Sequence, residues 1–169
     1  QDRPVSIDEG SREVRLPHET GVSLSTRDHQ DEFKRVTMAD LMTEANYLNP
    51  DIEVIAEINT PASFETFGES LNTGHGILGT THAEDVEKLV NRVVEQGLPG
   101  YLLREIDLVV FPKRSAGERY VGEAVEFLSE TEYRSLDRPG EAGREHGVIE
   151  KDGTEIHWNR IARRTHDGS

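Results

Sequence analysis

The residues best suited to chemistry in this chain lie between Asn49 and Ala83. An apolar run (Ile52, Val54, Ile55, Ile58) carries one carboxylate, Glu57, near its C-terminal end. A short helical stretch follows, then Thr73-Gly74-His75-Gly76 and Gly79-Thr80-Thr81-His82-Ala83. The pattern reads as strand, helix, strand. In open α/β sheets, ligands sit outside the carboxyl ends of the strands. Glu57, the hydroxyls of Thr80 and Thr81, and the imidazoles of His75 and His82 are therefore expected at one crevice. Glu57 there either polarises a water or is a buried acid paired with a base. The two histidines either face a phosphate or cap helix ends. Gly74, Gly76 and Gly79 beside them would let backbone N–H groups approach a phosphate closely.

A second group follows the β-prone run Pro4-Val5-Ser6-Ile7. Asp8 and Glu9 at its tip either hold Mg²⁺ or a water, or are solvated turn acids. Mg²⁺ prefers oxygen ligands and keeps several waters. Arg12, Arg15, Arg27 and Arg35 form a basic cluster in an acidic chain. They either pair with neighbouring acids or reach phosphates across a subunit boundary, as arginine fingers do. A metal hydrolase built from His75, His82, Glu57 and Asp8 is a further reading. Metal-binding histidine pairs usually sit close together on one element, and these are separated by a strand. His18, His29, His146, His157 and His166 have no such setting and read as surface residues, and Trp158 as a packing anchor. No Gly-Lys pair occurs in the 169 residues. A phosphate-binding loop of the Gly-x-x-x-x-Gly-Lys-Ser/Thr kind is thus not within them.

The elements that must position these groups are legible from caps and periodicity. Thr37 is a good N-cap for a helix from Met38 to Tyr47, with Met38, Leu41, Met42, Ala45 and Leu48 on its buried face. Asn49-Pro50 stops it. Thr60 and Pro61 open the next helix, with Phe64, Phe67, Gly68 and Leu71 inward, and Gly74 caps it. Ile77 to Thr81 is the next strand. Glu84 to Gln96 is a third helix, with Val86, Leu89, Val90, Val93 and Val94 inward, and Pro99 starts a short helix to Glu105. Ile106 to Phe111 reads as a strand buried on both faces of a sheet. The alternation predicts a mainly parallel sheet covered by helices. Arg119 to Leu128 then pairs antiparallel with the Ile106 strand at a sheet edge. Val22 and Leu24 mark a brief strand, and Arg12 to Leu16 a short strand or extended segment. Residues 130–146 read as a loop or linker and 147–162 as a C-terminal β-hairpin with an Asp152-Gly153 turn. The tail from Arg163 reads as frayed.

Charged residues make up 31% of the chain and the formal net charge is -14. A nucleic-acid partner is not expected, because a phosphate backbone needs a basic face. So acidic a surface suits a protein kept soluble by its charge in high salt. The absence of cysteine excludes disulfides and thiolate zinc sites within this sequence. No apolar run approaches the ~20 residues a membrane helix needs. The chain opens on Gln1 and enters a strand-like segment almost at once, so it reads as a piece of a longer protein.

Taken in order, these motifs resemble the secretion-superfamily ATPases, the motors of type II secretion, type IV pilus assembly, archaeal flagellum assembly and type IV secretion. Ser6-Ile7-Asp8-Glu9-Gly10-Ser11-Arg12-Glu13-Val14-Arg15-Leu16-Pro17-His18 looks like that family's Asp box in its archaeal form. Leu48-Asn49-Pro50-Asp51 through Val54-Ile55-Ala56-Glu57 looks like its Walker B strand, and Thr73-Gly74-His75-Gly76 with Gly79-Thr80-Thr81-His82-Ala83 like its His box. Ala56 and Asn59 stand where the family usually has Gly and Arg. The acidity is like that of halophilic archaeal members. The resemblance implies an α/β, three-layer RecA-like sheet, mainly parallel and lacking its Walker A part. Residues 1–129 would be the later part of that motor domain. It implies a complete protein that hydrolyses ATP with Mg²⁺ as a hexamer on the cytoplasmic face of a membrane, acting on a polytopic membrane platform. Glu57 would orient the attacking water, Asp8 or Glu9 would position water or Mg²⁺, and Gly74, His75, Thr81 and His82 would sense the terminal phosphate. Arg12, Arg15 or Arg27 would act in trans.

Overall fold

The computed structural model describes residues 2–9, 13–136 and 145–164. Arg12, residues 137–144 of the expected linker, and the tail beyond Arg164 lie outside them. The chain divides into two compact units: residues 1–82 with 96–98, and residues 83–95 with 99–169.

The first unit is built on four parallel strands, β1 (Pro4–Asp8), β2 (Val22–Ser25), β3 (Ile52–Ile55) and β4 (Gly76–Gly79), in the order β2-β1-β3-β4. Parallel neighbours need a crossover between them. Two helices serve, α1 (Met38–Tyr47) and α2 (Pro61–Ser70). Both begin where the sequence predicts. Thr37 and Asp40 form a capping box, as do Thr60 and Ser63, and Pro61 occupies the first turn of α2. The amide of Thr37 and its hydroxyl hold the Asp40 carboxyl below the usual range. Met38, Leu41, Met42 and Ala45 are the buried face of α1. In α2 the buried set is Ser63, Phe64, Thr66, Gly68 and Ser70, so the expected inner stripe is met by Phe64 and Gly68 but not by Phe67 or Leu71. The two helices are joined by a hydrogen bond from Asn46 to Ser70 Oγ, 3.1 Å. Residues 13–18 form no strand.

The second unit corrects the expectation for Ile106 to Phe111. That strand, β5 (Val109–Ser115), does not join the parallel sheet. It is the edge of a four-stranded antiparallel sheet with β6 (Glu118–Leu128), β7 (His146–Lys151) and β8 (Thr154–Arg163), in the order β5-β6-β8-β7. Leu108 and Val110 are exposed. Pro112 lacks an N–H donor, which an edge strand tolerates and a central one does not. A continuous apolar run resembles a doubly buried strand, and only the pairing distinguishes them. β5 and β6 do pair antiparallel, as expected. The β7–β8 turn is Asp152-Gly153, both at positive φ, as a two-residue hairpin turn requires. β8 also pairs with β6 and runs through Arg163, so the hairpin is part of the sheet and the chain is ordered there. Inside the expected linker, α4 (Glu130–Ser135) forms behind a Ser129–Glu132 capping box, a start signal the sequence displays. α3 (Val86–Glu95) buries Val86, Leu89, Val90 and Val93. His157, expected at the surface, is buried against the ring of Tyr133.

One core position of the first unit is a carboxyl. Glu53 lies on β3 between Val5 and Ile77, fully buried, and neither of its oxygens has a hydrogen-bond partner. Burial alone pushes its pKa up to about 7 from a reference of 4.5. The folded chain therefore holds a proton there that the unfolded chain releases. This contribution to stability is complete below pH 4.5 and is lost as pH rises through about 7, a change of about 3 kcal/mol. Glu53→Gln is expected to raise the melting temperature at pH 8 and leave it nearly unchanged at pH 4.5. Equal shifts at both pH values in thermal denaturation would show that Glu53 is not protonated in the fold.

Candidate functional site

Because all four strands of the first unit run in parallel, their carboxyl ends share one edge of the sheet. The chain leaving β3 there is pinned on both sides. Ala56 N donates to Ile7 O at 2.8 Å, and Ile58 N donates to Thr80 O at 2.8 Å. The Thr80 hydroxyl donates to Ala56 O, and Thr81 Oγ1 donates to Ile58 O at 2.8 Å. Glu57 thus sits in a short bridge whose flanking carbonyls are both held by threonines from the exit of β4. Ile58 beneath it is buried. A Cβ on Gly79 would come within 2.9 Å of the Ile58 side chain, so glycine there makes room for packing.

The Glu57 carboxylate meets the His82 imidazole, with Nε2 to Oε1 at 2.6 Å. The Glu57 side chain is 30% exposed and that of His82 78%. Asp8, Glu9, Glu13, Ala56, Glu57 and Thr80 line one crevice at this edge. Asp8 is buried, and its Oδ2 accepts from Val14 N at 2.6 Å, which holds Val14 at the end of β1.

His75 is placed elsewhere. It precedes β4, and with Thr73, Gly74, Asn49, Pro50 and Asp51 it lines a separate depression at the amino ends of β3 and β4. At about 3.3 Å per residue, the four residues of β4 put about 13 Å between the two ends. The structure therefore brings Glu57, His82, Asp8 and Glu9 together and leaves His75 and Gly74 apart. Gly74 has φ +84 and serves the turn. Arg27 is used locally: its Nε donates to Lys34 O at 2.6 Å. Arg15 is exposed. The sequence gives no signal for Glu13 at the crevice or for the Val14 amide on Asp8. Sequence reasoning also read Thr81 as a phosphate contact, whereas its hydroxyl braces the Glu57 bridge.

Among the described residues no group of three His, Asp or Glu could hold a metal ion. His75 lies at the other end of β4 from Glu57, His82 and Asp8, so the four residues of the metal-hydrolase reading do not meet at one place. A Mg²⁺ ion brought by phosphates needs only one or two carboxylates or their waters, and the crevice offers oxygen donors of that kind.

The chain was compared with known proteins. Residues 1–114 match the family model described as "Type II/IV secretion system protein". An uncharacterised protein of Methanocaldococcus jannaschii, MJ0900, is 34% identical over 85 residues, which are 50% of this chain and 15% of that protein. Among solved structures, the VirB11 ATPase of the Brucella suis type IV secretion system aligns with a TM-score of 0.58 at 23% identity, covering 73% of this chain and 39% of that one. The ATPase DotB of Legionella pneumophila aligns at 0.56 and 19% identity, covering 81% and 40%. These likenesses concern the fold, and the chain spans less than half of each of these proteins. No helix among the described residues is long and apolar enough to cross a membrane.

The two threonine hydroxyls are expected to hold the Glu57 bridge. Thr80→Val with Thr81→Val removes two hydrogen bonds, each worth about 1 kcal/mol. Amide exchange at Ala56 and Ile58 should accelerate about tenfold or more, with Val125 of the second unit unchanged. Unaltered protection at Ile58, measured by NMR, would mean that packing alone holds the bridge.

Proposed function

Because the chain belongs to the type II/IV secretion system protein family, we propose that it is the later part of a RecA-like ATPase motor domain. The complete protein would hydrolyse ATP and drive protein secretion or the assembly of a pilus or archaeal flagellum. The observation that carries this reading is the pairing of Glu57 with His82 at the carboxyl edge of a parallel sheet, beside Asp8 and Glu9. Phosphoryl transfer asks a protein mainly for placement and charge stabilisation. Glu57 would align the attacking water, with its direction set by the braced bridge. His82 pairs with that carboxylate. A terminal phosphate arriving at the same edge would compete for the imidazole and free Glu57 for the water. His82 then reports the phosphate, and its return to Glu57 reports the loss of it. His75, at the opposite end of β4, is assigned no phosphate contact. Asp8 or Glu9 would hold Mg²⁺ through water, and Mg²⁺ when bound neutralises phosphate charge.

The grip on the nucleotide would come from a Walker A loop outside these 169 residues. The working form would be a hexamer at the cytoplasmic face of a membrane. Its partner would be a polytopic membrane platform, without nucleic acid. Arg12, Arg15 or Arg27 would meet phosphate from a neighbouring subunit. The absence of a Gly-Lys pair within the chain favours one second reading, a regulatory or structural module of such a hexamer. The longer coding sequence separates the two, through the presence or absence of a Gly-Lys-Thr loop.

In the longer protein, Glu57→Gln is expected to abolish ATP turnover, by at least about 100-fold, and to leave nucleotide binding nearly intact. Surviving turnover would remove Glu57 from the role of water-aligning base. The 169-residue chain alone is expected to show no ATPase activity above background in a phosphate-release assay. Turnover by it would reveal a phosphate grip within this sequence.

A further inference from the structure

The outer end of the antiparallel sheet carries a charge arrangement that the proposed function leaves unused. Arg114 of β5 stands directly opposite Arg119 of β6, and Pro112 stands opposite Val121. Residues two apart on a strand share a face, so two guanidiniums and two apolar side chains occupy one side of this hairpin. All four residues are exposed. Like charges directly opposite one another destabilise an antiparallel pair. Yet neither arginine has an ion pair or hydrogen bond to a described residue. Several other cations do have an acid within reach, among them Lys34, Lys88, Arg134, Lys151 and Arg160. Lys113 and Arg164 belong to the other face: Lys113 stands opposite Tyr120 and its Nζ donates to Glu84 O at 2.9 Å, and Arg164 lies 5.1 Å above the Tyr120 ring. All this occurs in a chain with 33 acids against 19 Lys and Arg. Two repelling guanidiniums with no acid partner among the described residues are out of place in so acidic a protein unless an anion covers them.

We propose that this face of the β5–β6 hairpin docks an acidic segment of a partner polypeptide. Its carboxylates would bridge Arg114 and Arg119, and a small apolar side chain would rest on Val121 and Pro112. Arginine favours such a partner, because its planar fork binds carboxylates bidentately. An anionic bilayer fits less well. The net charge of -14 opposes approach to an extended anionic surface, whereas a discrete acidic segment meets only the patch. The arginine face also offers no aromatic or long apolar side chain to enter a bilayer. Pro112 blunts the free edge of β5, so the segment would lie across the face and not extend the sheet. The assignment does not rest on the phosphate chemistry proposed for Glu57.

The test uses a fluorescein-labelled peptide of alternating Glu and Val, titrated with the 169-residue chain by fluorescence anisotropy. The parent chain is expected to bind, with affinity falling as salt rises. The R114E/R119E double variant should bind about tenfold more weakly or worse. The charge-matched control K88E/R134E should stay within about twofold of the parent. In Arg119→Glu alone the cross-strand pair becomes attractive, so the melting temperature should hold or rise. Absence of peptide binding, or equal loss in the control, overturns the proposal. So does binding to phosphatidylserine-containing vesicles without binding to the peptide. A lower melting temperature in Arg119→Glu would assign the pair a structural role and overturn it too.

Discussion

The candidate site depends on the shared direction of four short strands. Parallel pairing sends β1, β3 and β4 out of the sheet at the same edge, and their exits stay hydrogen-bonded after the regular ladder ends. Ala56 is tied to Ile7 on one side, and Ile58 to Thr80 on the other. A carboxylate on such a bridge has little freedom to choose where it points. That is what an acid needs if it is to align a small molecule such as water. The His82 contact follows from the same constraint, because His82 leaves β4 next to the chain that carries Glu57.

The same sheet tolerates an expensive residue. Glu53 points into the core of β3 two positions after Asp51, with no partner for either oxygen. Its proton is retained because the ionised form would be far costlier to bury than the neutral acid. Glu53 and Glu57 lie four residues apart on one segment and behave oppositely. One is enclosed and unpaired, the other half-open and bonded to an imidazole. Environment, not residue type, separates a core acid from a candidate catalytic one.

The antiparallel unit uses different rules. Its order comes from hairpin turns, where Gly117 and Gly153 adopt positive φ, and from Trp158, which lies against Gly147 so closely that a Cβ there would clash. Its interior holds paired polar groups: Asn159 Nδ2 donates to Glu126 at 2.7 Å, and Arg160 Nε lies 2.9 Å from Glu123 as an ion pair, while Asn159 Oδ1 is buried without a hydrogen-bond partner among the described residues. Arg114 and Arg119, exposed and without an acid partner among the described residues, are a surface feature and not a flaw in packing.

Much of this was legible in the sequence because it is local. The Thr37 and Thr60 caps, Pro61, the turn at Asp152-Gly153 and the apolar spacing of α1 and α3 involve neighbours within a few residues, whose physics does not depend on the rest of the fold. The expectation that Glu57 and His82 share the carboxyl edge follows from the strand–helix–strand order, whereas their direct contact does not. Other matters were decided only by tertiary structure. Whether β5 joins the parallel sheet depends on which strand offers it a free edge, and an apolar run carries no record of that. The separation of His75 from Glu57 depends on which end of β4 each occupies, and a one-dimensional spacing does not show that the strand itself lies between them. The threonine braces on the Glu57 bridge arise from contacts between segments more than twenty residues apart, which no local signal encodes.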